Sequence, residues 1–158
     1  MTRRRSELQV LPGDILRQYS EEEVSGLVAQ WLAAFGTNRH GVNEKAFMWH
    51  IFSGARYPSL SGSAALEQYK QQVATEYIVL SNDRKVAFAT NSLPESSSLS
   101  DYYVFPSNLA WTMAFTHEDG WLGPYFARHA NFEQLDDANK AKLQKAREAE
   151  EAKQMGWR

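Results

Sequence analysis

The feature of this chain that most constrains its fold is a series of β-rich segments in its middle part. The segments span residues 76–80, 85–90, 102–105 and 109–116. In the last of them the large side chains of Trp111, Met113 and Phe115 recur at every second position, which is the period of a strand. Because the segments follow one another in the chain and short links join each pair, we expect antiparallel pairing into a sheet of roughly four strands.

Helical patterns flank the β-rich part of the sequence. Ser20 begins a capping-box pattern, and apolar residues at helical spacing follow it as far as Gly36, which we expect to end the helix in a left-handed conformation. Shorter helices are expected over residues 45–52 and 61–74, and a charged helix over residues 136–154. These elements predict an α+β fold in which helices pack on one face of a roughly four-stranded antiparallel sheet, with a charged C-terminal helix.

The length and the changes in composition predict one folded domain with two appendages. A chain of 158 residues is of ordinary size for a single domain. The predicted divisions are an extended N-terminal lead-in over residues 1–19, a single α+β domain over 20–130 and a charged C-terminal helix over 131–158.

The composition argues against several classes of function. The chain contains no cysteine, which excludes disulfides, thiolate zinc sites and cysteine nucleophiles. Its formal net charge is −2 and its dense basic cluster, residues 3–5, lies at the N-terminus, so we expect no nucleic-acid partner. No apolar run has the length of a membrane span or of a signal-peptide core, so we expect a cytoplasmic protein without a membrane partner. Neither a dinucleotide-binding nor a phosphate-binding glycine loop occurs, and no cofactor is expected.

The densest group of reactive side chains follows the last predicted strand, over residues 116–126. An imidazole titrates near neutral pH, so His117 is a candidate general acid or base, and Glu118 or Asp119 is placed to fix its tautomer. The same residues also fit a polar turn in which Gly120 adopts a positive φ, and both interpretations stay open on sequence grounds. The candidate catalytic residues are His117, Glu118 and His50. The candidate binding residues are Trp49, Ser53, Thr116, Asp119, Trp121 and Tyr125.

Neither a metal site nor a serine nucleophile is predicted. The histidines are scattered, and no His-Glu-x-x-His or His-x-His pattern places two of them at ligand spacing. Ser53 lacks the Gly-x-Ser-x-Gly elbow of a serine hydrolase, and the Ser53-Gly54 pair is better explained as the end of a short helix.

Several segments resemble a bacterial family of small proteins of unknown function. The resemblance lies in Trp-His-Ile-Phe-Ser at residues 49–53, in residues 101–104 and 111–118, and in Gly-Pro-Tyr-Phe at residues 123–126. The later boxes are the more specific ones. Because no activity is established for the family, the resemblance implies a domain and does not imply a reaction. The positions that it singles out are His50, Thr116, His117, Glu118 and Tyr125.

Two functional hypotheses follow from the sequence. The first is a cytoplasmic protein-binding module, such as an immunity or antitoxin-like protein, whose contact surface is the exposed face of the sheet with Trp121 and Tyr125 at its rim. The second is a small-molecule-binding or hydrolytic domain using His117 and Glu118, in which His117 shares a recess with His50. The absence of cofactor motifs favours the first hypothesis, so an enzyme is the less favoured of the two. The sequence predicts no oligomeric state.

Overall fold

The structure is a computed structural model that describes residues 8–43, 45–117 and 123–156. Its helices and strands alternate irregularly along the chain. In order they are β1 (Val10–Leu11), β2 (Ile15–Gln18), α1 (Glu21–Phe35), α2 (His50–Ser53), β3 (Leu60–Ser61), α3 (Gly62–Lys70), β4 (Tyr77–Ser81), β5 (Ala87–Thr90), β6 (Ser96–Ser97), β7 (Tyr102–Phe105), β8 (Trp111–Phe115), β9 (Tyr125–Arg128) and α4 (Phe132–Gln154).

The described strands form one large sheet and one small one. The large sheet has seven strands in the order β2-β5-β4-β7-β8-β9-β3, and β1 pairs with β6 in a separate two-stranded sheet. The strand pairs are antiparallel. The α+β prediction is therefore confirmed, but the large sheet has seven strands and not the roughly four that were predicted. The four predicted strands form its contiguous centre, and β2, β3 and β9 extend it.

The three additional strands were missed because their sequences carry little strand pattern of their own. β2 is Ile-Leu-Arg-Gln at one edge of the sheet, and β3 has two residues at the other edge. β9 follows directly on the Gly123-Pro124 bend, within the segment whose reactive side chains suggested a site. Such segments become strands because a neighbouring strand supplies hydrogen bonds, and the local sequence does not report that neighbour.

Helices cover both faces of the large sheet. On one face, α1 and α2 pack in a cluster that includes Ile78 and Leu80 of β4. On the opposite face, α3 and the first turn of α4 pack in a second cluster that includes Tyr77 and Val79 of the same strand. The prediction of helices on one face is therefore wrong. All five residues of β4 are buried, and apolar side chains on both faces of a strand each require a covering layer.

The first helix forms where the sequence predicts it. The capping box is present, since Ser20 Oγ accepts from the Glu23 amide at 3.2 Å and Glu23 Oε1 accepts from the Ser20 amide at 2.9 Å. Gly36 ends the helix with φ of −116°, so the expected left-handed conformation is wrong. A Cβ at Gly36 would lie 3.0 Å from the carbonyl oxygen of Leu32, so close packing accounts for the glycine.

The other helices differ from prediction in their bounds. α2 occupies only the end of the segment expected over residues 45–52, and α3 ends at Lys70. α4 begins at Phe132, and its residues after Leu143 are almost all exposed. Among the helices that the structure describes, none combines the length and the apolar character needed to cross a membrane.

Candidate functional site

The candidate site lies where β7 begins and β8 ends. The register pairs Tyr102 of β7 with Phe115 of β8, so Asp101 and His117, just outside these strands, meet at the same end of the pair. Asp101 is buried, with 7% of its surface exposed, whereas the side chain of His117 is 43% exposed. The sheet thus holds a buried carboxylate against an imidazole that solvent reaches.

The Asp101 carboxylate binds two ring N–H groups. Nδ1 of His117 lies 2.9 Å from Oδ1 and 3.0 Å from Oδ2, and Nε1 of Trp49 donates to Oδ2 at 2.9 Å. An ionised carboxylate only accepts hydrogen bonds, so Nδ1 of His117 carries a proton. In the neutral ring the basic lone pair then resides on Nε2. A buried acid that fixes the tautomer of a histidine is the arrangement found in general acid–base catalysis.

Aromatic rings surround the imidazole. The ring of Phe47 lies 5.2 Å from that of His117 and 5.3 Å from that of His50, measured between centroids. Trp49 contacts His50 at 4.6 Å and stacks on Tyr125 at 6.1 Å with an interplanar angle of 20°. The two histidines therefore contact the same phenylalanine.

A second hydrogen-bond network holds the segment that carries Trp49. The hydroxyl of Tyr103 accepts from the Trp49 amide at 3.0 Å and donates to Asn82 Oδ1 at 2.6 Å. Asn82 also accepts from the Met48 amide at 3.2 Å and donates to the carbonyl of Ala46 at 2.8 Å. Burial raises the pKa of Tyr103 well above its usual range, so the phenol stays protonated and able to donate. These bonds fix the segment that carries Trp49 to the sheet.

The structure brings together some of the candidate residues. His117, His50, Trp49 and Tyr125 form one continuous set of ring contacts through Phe47. The first hypothesis placed Tyr125 at the rim of an exposed contact surface. Tyr125 is only 6% exposed, so it is instead a buried residue that supports Trp49.

Thr116 and Ser53 lie in places that are explained by packing and by the end of a helix. Thr116 is buried beside Gly123, whose φ is +96° and whose Cβ would lie 3.0 Å from Thr116 Cγ2, so the close approach of these segments requires glycine. Ser53 is exposed at the end of α2, and its hydroxyl donates weakly to the carbonyl of His50 at 3.4 Å. The candidates Glu118, Asp119 and Trp121 lie outside the described residues.

Asp101 belongs to the candidate site by its contacts, but it is missing from the residues chosen from the sequence. The sequence suggested Glu118 or Asp119 as the acid beside His117 because they are adjacent in the chain, whereas the observed partner lies sixteen positions earlier. A signal was present. An acid directly before the aromatic strand β7 lies opposite the residues that follow β8 once the two strands pair antiparallel, but the register needed for that inference is a tertiary property.

The described part of the chain offers no cluster of three or more histidine, aspartate or glutamate side chains positioned to hold a metal ion. The arrangement of the imidazole and its carboxylate supports acid–base chemistry. It can take a proton at Nε2, stabilise the resulting imidazolium with Asp101, and return the proton.

A family model described as a domain of unknown function (DUF4275) matches residues 11–126. The match covers most of the chain, from the end of β1 into β9, and the chain therefore belongs to this family. It includes Asp101, His117 and the aromatic residues around them, and it ends before α4. No curated protein and no solved structure matches the chain.

Proposed function

We propose that this member of the DUF4275 family is a cytoplasmic small-molecule-binding domain that performs hydrolytic acid–base chemistry with His117. The observation that carries the proposal is the buried carboxylate of Asp101 on Nδ1 of the half-exposed imidazole, at 2.9 Å. A surface histidine without such a partner samples both tautomers and many orientations. In this protein Asp101 restricts the tautomer and the orientation of His117 before any ligand binds, which is what a catalytic base requires.

The reaction proposed is the hydrolysis of an ester-like bond. Nε2 of His117 takes a proton from a water molecule while the water oxygen forms a bond to the acyl carbon and the π electrons of the carbonyl move to its oxygen. The imidazolium, stabilised by Asp101, then returns that proton to the leaving oxygen as the carbonyl re-forms and the bond between the acyl carbon and the leaving oxygen breaks. Phe47 and His50 form the aromatic surface on which the substrate lies, and Trp49 keeps the carboxylate in place.

The fold favours this proposal over a contact surface on the sheet. Helices cover both faces of the sheet, so its central strands present no open face to a partner protein. By contrast, the ring contacts that join His117 to His50 through Phe47 are those that a shared recess requires.

The proposal is tested with a series of p-nitrophenyl esters from acetate to octanoate. We expect His117→Gln to lower kcat/KM by about a hundredfold or more, the usual contribution of a positioned general base. The matched control is His40→Gln, because His40 is exposed and lies outside the site. If the two variants hydrolyse all the esters at the rate of the natural chain, His117 is not a catalytic base and the proposal is wrong.

A second candidate function is protein binding of the immunity or antitoxin-like kind, through a different surface. Leu11 on β1 and Leu16 on the terminal strand β2 are 64% and 44% exposed. Large apolar side chains beside a sheet edge suit a partner protein that adds a strand there. The test is affinity purification from the native host with the natural chain and with Leu11→Asp/Leu16→Asp. A protein that co-purifies with the natural chain and is absent from the Leu11→Asp/Leu16→Asp preparation supports binding. Equal recovery of that protein with both baits contradicts it.

A further inference from the structure

A cavity of about 740 Å³ opens at the β3 edge of the large sheet, away from the Asp101–His117 pair. Its volume lies within the roughly 300–1,000 Å³ range of small-molecule sites. Phe126 lines it and points to the opposite face of β9 from Tyr125, which belongs to the aromatic set around Trp49. The residues that carry the argument are Tyr57, Leu60, Gln68, Phe126 and Arg128.

The walls of the cavity are largely apolar and aromatic. Phe126 forms part of the lining although it is almost fully buried, so it lies at the bottom. Leu60 is 43% exposed, which is unusual for a large apolar side chain in a chain that buries most of its others. An apolar ligand body lying on Leu60 and Phe126 would remove this surface from water, which is favourable in proportion to the area covered.

One cationic group faces this apolar surface. Among the described residues that line the cavity, Arg128 is charged and none is acidic. Its Nη2 donates to Gln68 Oε1 at 2.7 Å, and its Cζ lies 4.4 Å from the centroid of the Phe132 ring. These two contacts orient the guanidinium, and an oriented guanidinium loses less entropy when it pairs with a carboxylate in the two-bond geometry that suits both groups.

The frame of the cavity is held by the backbone. β3 pairs with β9 through Leu60 and Phe126, and the Tyr57 hydroxyl donates to the carbonyl of Arg128. Strand β9, which carries Arg128 and Phe126, is therefore tied to Leu60 on β3 and to Tyr57, which precedes β3. A cavity built this way is formed before a ligand enters it.

We propose that this cavity is a binding site for a small organic carboxylate with an apolar or aromatic body. The carboxylate pairs with the guanidinium of Arg128, and the body lies on Leu60 and Phe126. The single positive charge and the absence of acidic lining among the described residues select a monoanion over a neutral or cationic analogue.

The test compares three probes that share one body. 4-Phenylbutanoate, 4-phenylbutan-1-ol and 4-phenylbutylamine are titrated into 15N-labelled full-length protein, and amide shifts are followed by NMR. We expect the acid to bind about tenfold more tightly than the alcohol, with the amine weaker still, and with shifts at Leu60, Gln68 and Arg128. Equal affinities for the three probes, no saturable shift with the acid, or shifts confined to other parts of the chain would each overturn the proposal.

Variants at Arg128 then test the charge. Arg128→Gln should weaken binding of the acid about tenfold and leave the affinity for the alcohol unchanged, whereas Arg128→Lys should give an intermediate loss because it keeps the charge without the planar fork. Unchanged affinity of folded Arg128→Gln for the acid overturns the proposal. The comparison of probes on the natural chain decides the question on its own if this variant does not fold.

Discussion

Replacing Asp101 by asparagine perturbs the centre of the candidate site with almost no change in side-chain shape. The carboxylate accepts from Nδ1 of His117 and from Nε1 of Trp49. An amide has one acceptor oxygen and one NH2 group, so when the oxygen keeps the bond from Nε1 of Trp49, the NH2 group faces Nδ1 of His117, which must give up its proton to accept from it. Both hydrogen bonds then lose the charge-assisted character that the carboxylate gives them.

The magnitude follows from these two changes. A hydrogen bond to a charged group contributes about 1.5–3 kcal/mol, and a neutral one about 1 kcal/mol. Part of this loss is recovered because the half-exposed His117 can turn to water and because a buried charge is removed. We therefore expect Asp101→Asn to lower the free energy of unfolding by about 2 kcal/mol, equivalent to a fall of about 4–8 °C in Tm for a chain of this size.

Urea denaturation followed by tryptophan fluorescence measures the effect. The matched control is Asp137→Asn, since Asp137 is exposed on α4 and its replacement should change stability by less than about 0.5 kcal/mol. A double-mutant cycle with His117→Ala should return a coupling energy of about 1 kcal/mol, because that variant removes one of the two donors. If Asp101→Asn is as stable as the natural chain and the coupling is zero, the hydrogen bonds of the carboxylate contribute nothing and the reasoning is refuted.

The same variant has a spectroscopic consequence. The asparagine NH2 group can donate to Nδ1 of His117, which moves the ring proton to Nε2. Nitrogen chemical shifts of the imidazole should therefore report a protonated Nδ1 in the natural chain and a protonated Nε2 in Asp101→Asn. The same tautomer in both proteins would show that Asp101 does not orient the ring.

Three further predictions concern the stability of the fold. Ser20→Ala removes the cap that Glu23 completes and should cost about 1 kcal/mol of unfolding free energy in urea titrations, with no change contradicting the role of the capping box. Trp31→Phe removes the buried bond from Nε1 to Thr112 Oγ1 at 2.9 Å and leaves a cavity, so it should cost about 2 kcal/mol, and a cost below about 0.5 kcal/mol would contradict this packing. Burial raises the pKa of Tyr102 from 10.0 to about 12, so its contribution to stability is complete below pH 10 and is lost as the pH rises through about 12. Tyr102→Phe should therefore show a shallower loss of stability than the natural chain between these pH values in alkaline denaturation, and identical curves would contradict the assignment.

The sequence alone determined the elements whose causes are local. The capping box at Ser20 and the apolar stripe after it specify α1, because the hydrogen bonds and side-chain contacts that define a helix lie within a few residues of one another. The four central strands were likewise predictable, from their β-rich composition and, in β8, from a period of two, and the resemblance to a family of unknown function was confirmed. The choice of His117 as a candidate residue followed from its chemistry and its place after a strand.

Features that depend on partners distant in the chain were decided by the tertiary structure. Arg-Gln at the end of β2 and the two residues of β3 become strands because β5 and β9 lie beside them. Both faces of the sheet are covered because α1 and α2 pack on one face and α3 and α4 pack on the other. The uninterrupted apolar run of β4 already indicated two buried faces.

The site shows the same division most clearly. His117 could be chosen from the sequence, but its acid is Asp101, and the two meet because one antiparallel register places the start of β7 beside the end of β8. A shift of that register by one residue would turn every side chain of β7 to the other face of the sheet. The register depends on residues of both strands, and the two strands lie side by side only in the folded chain.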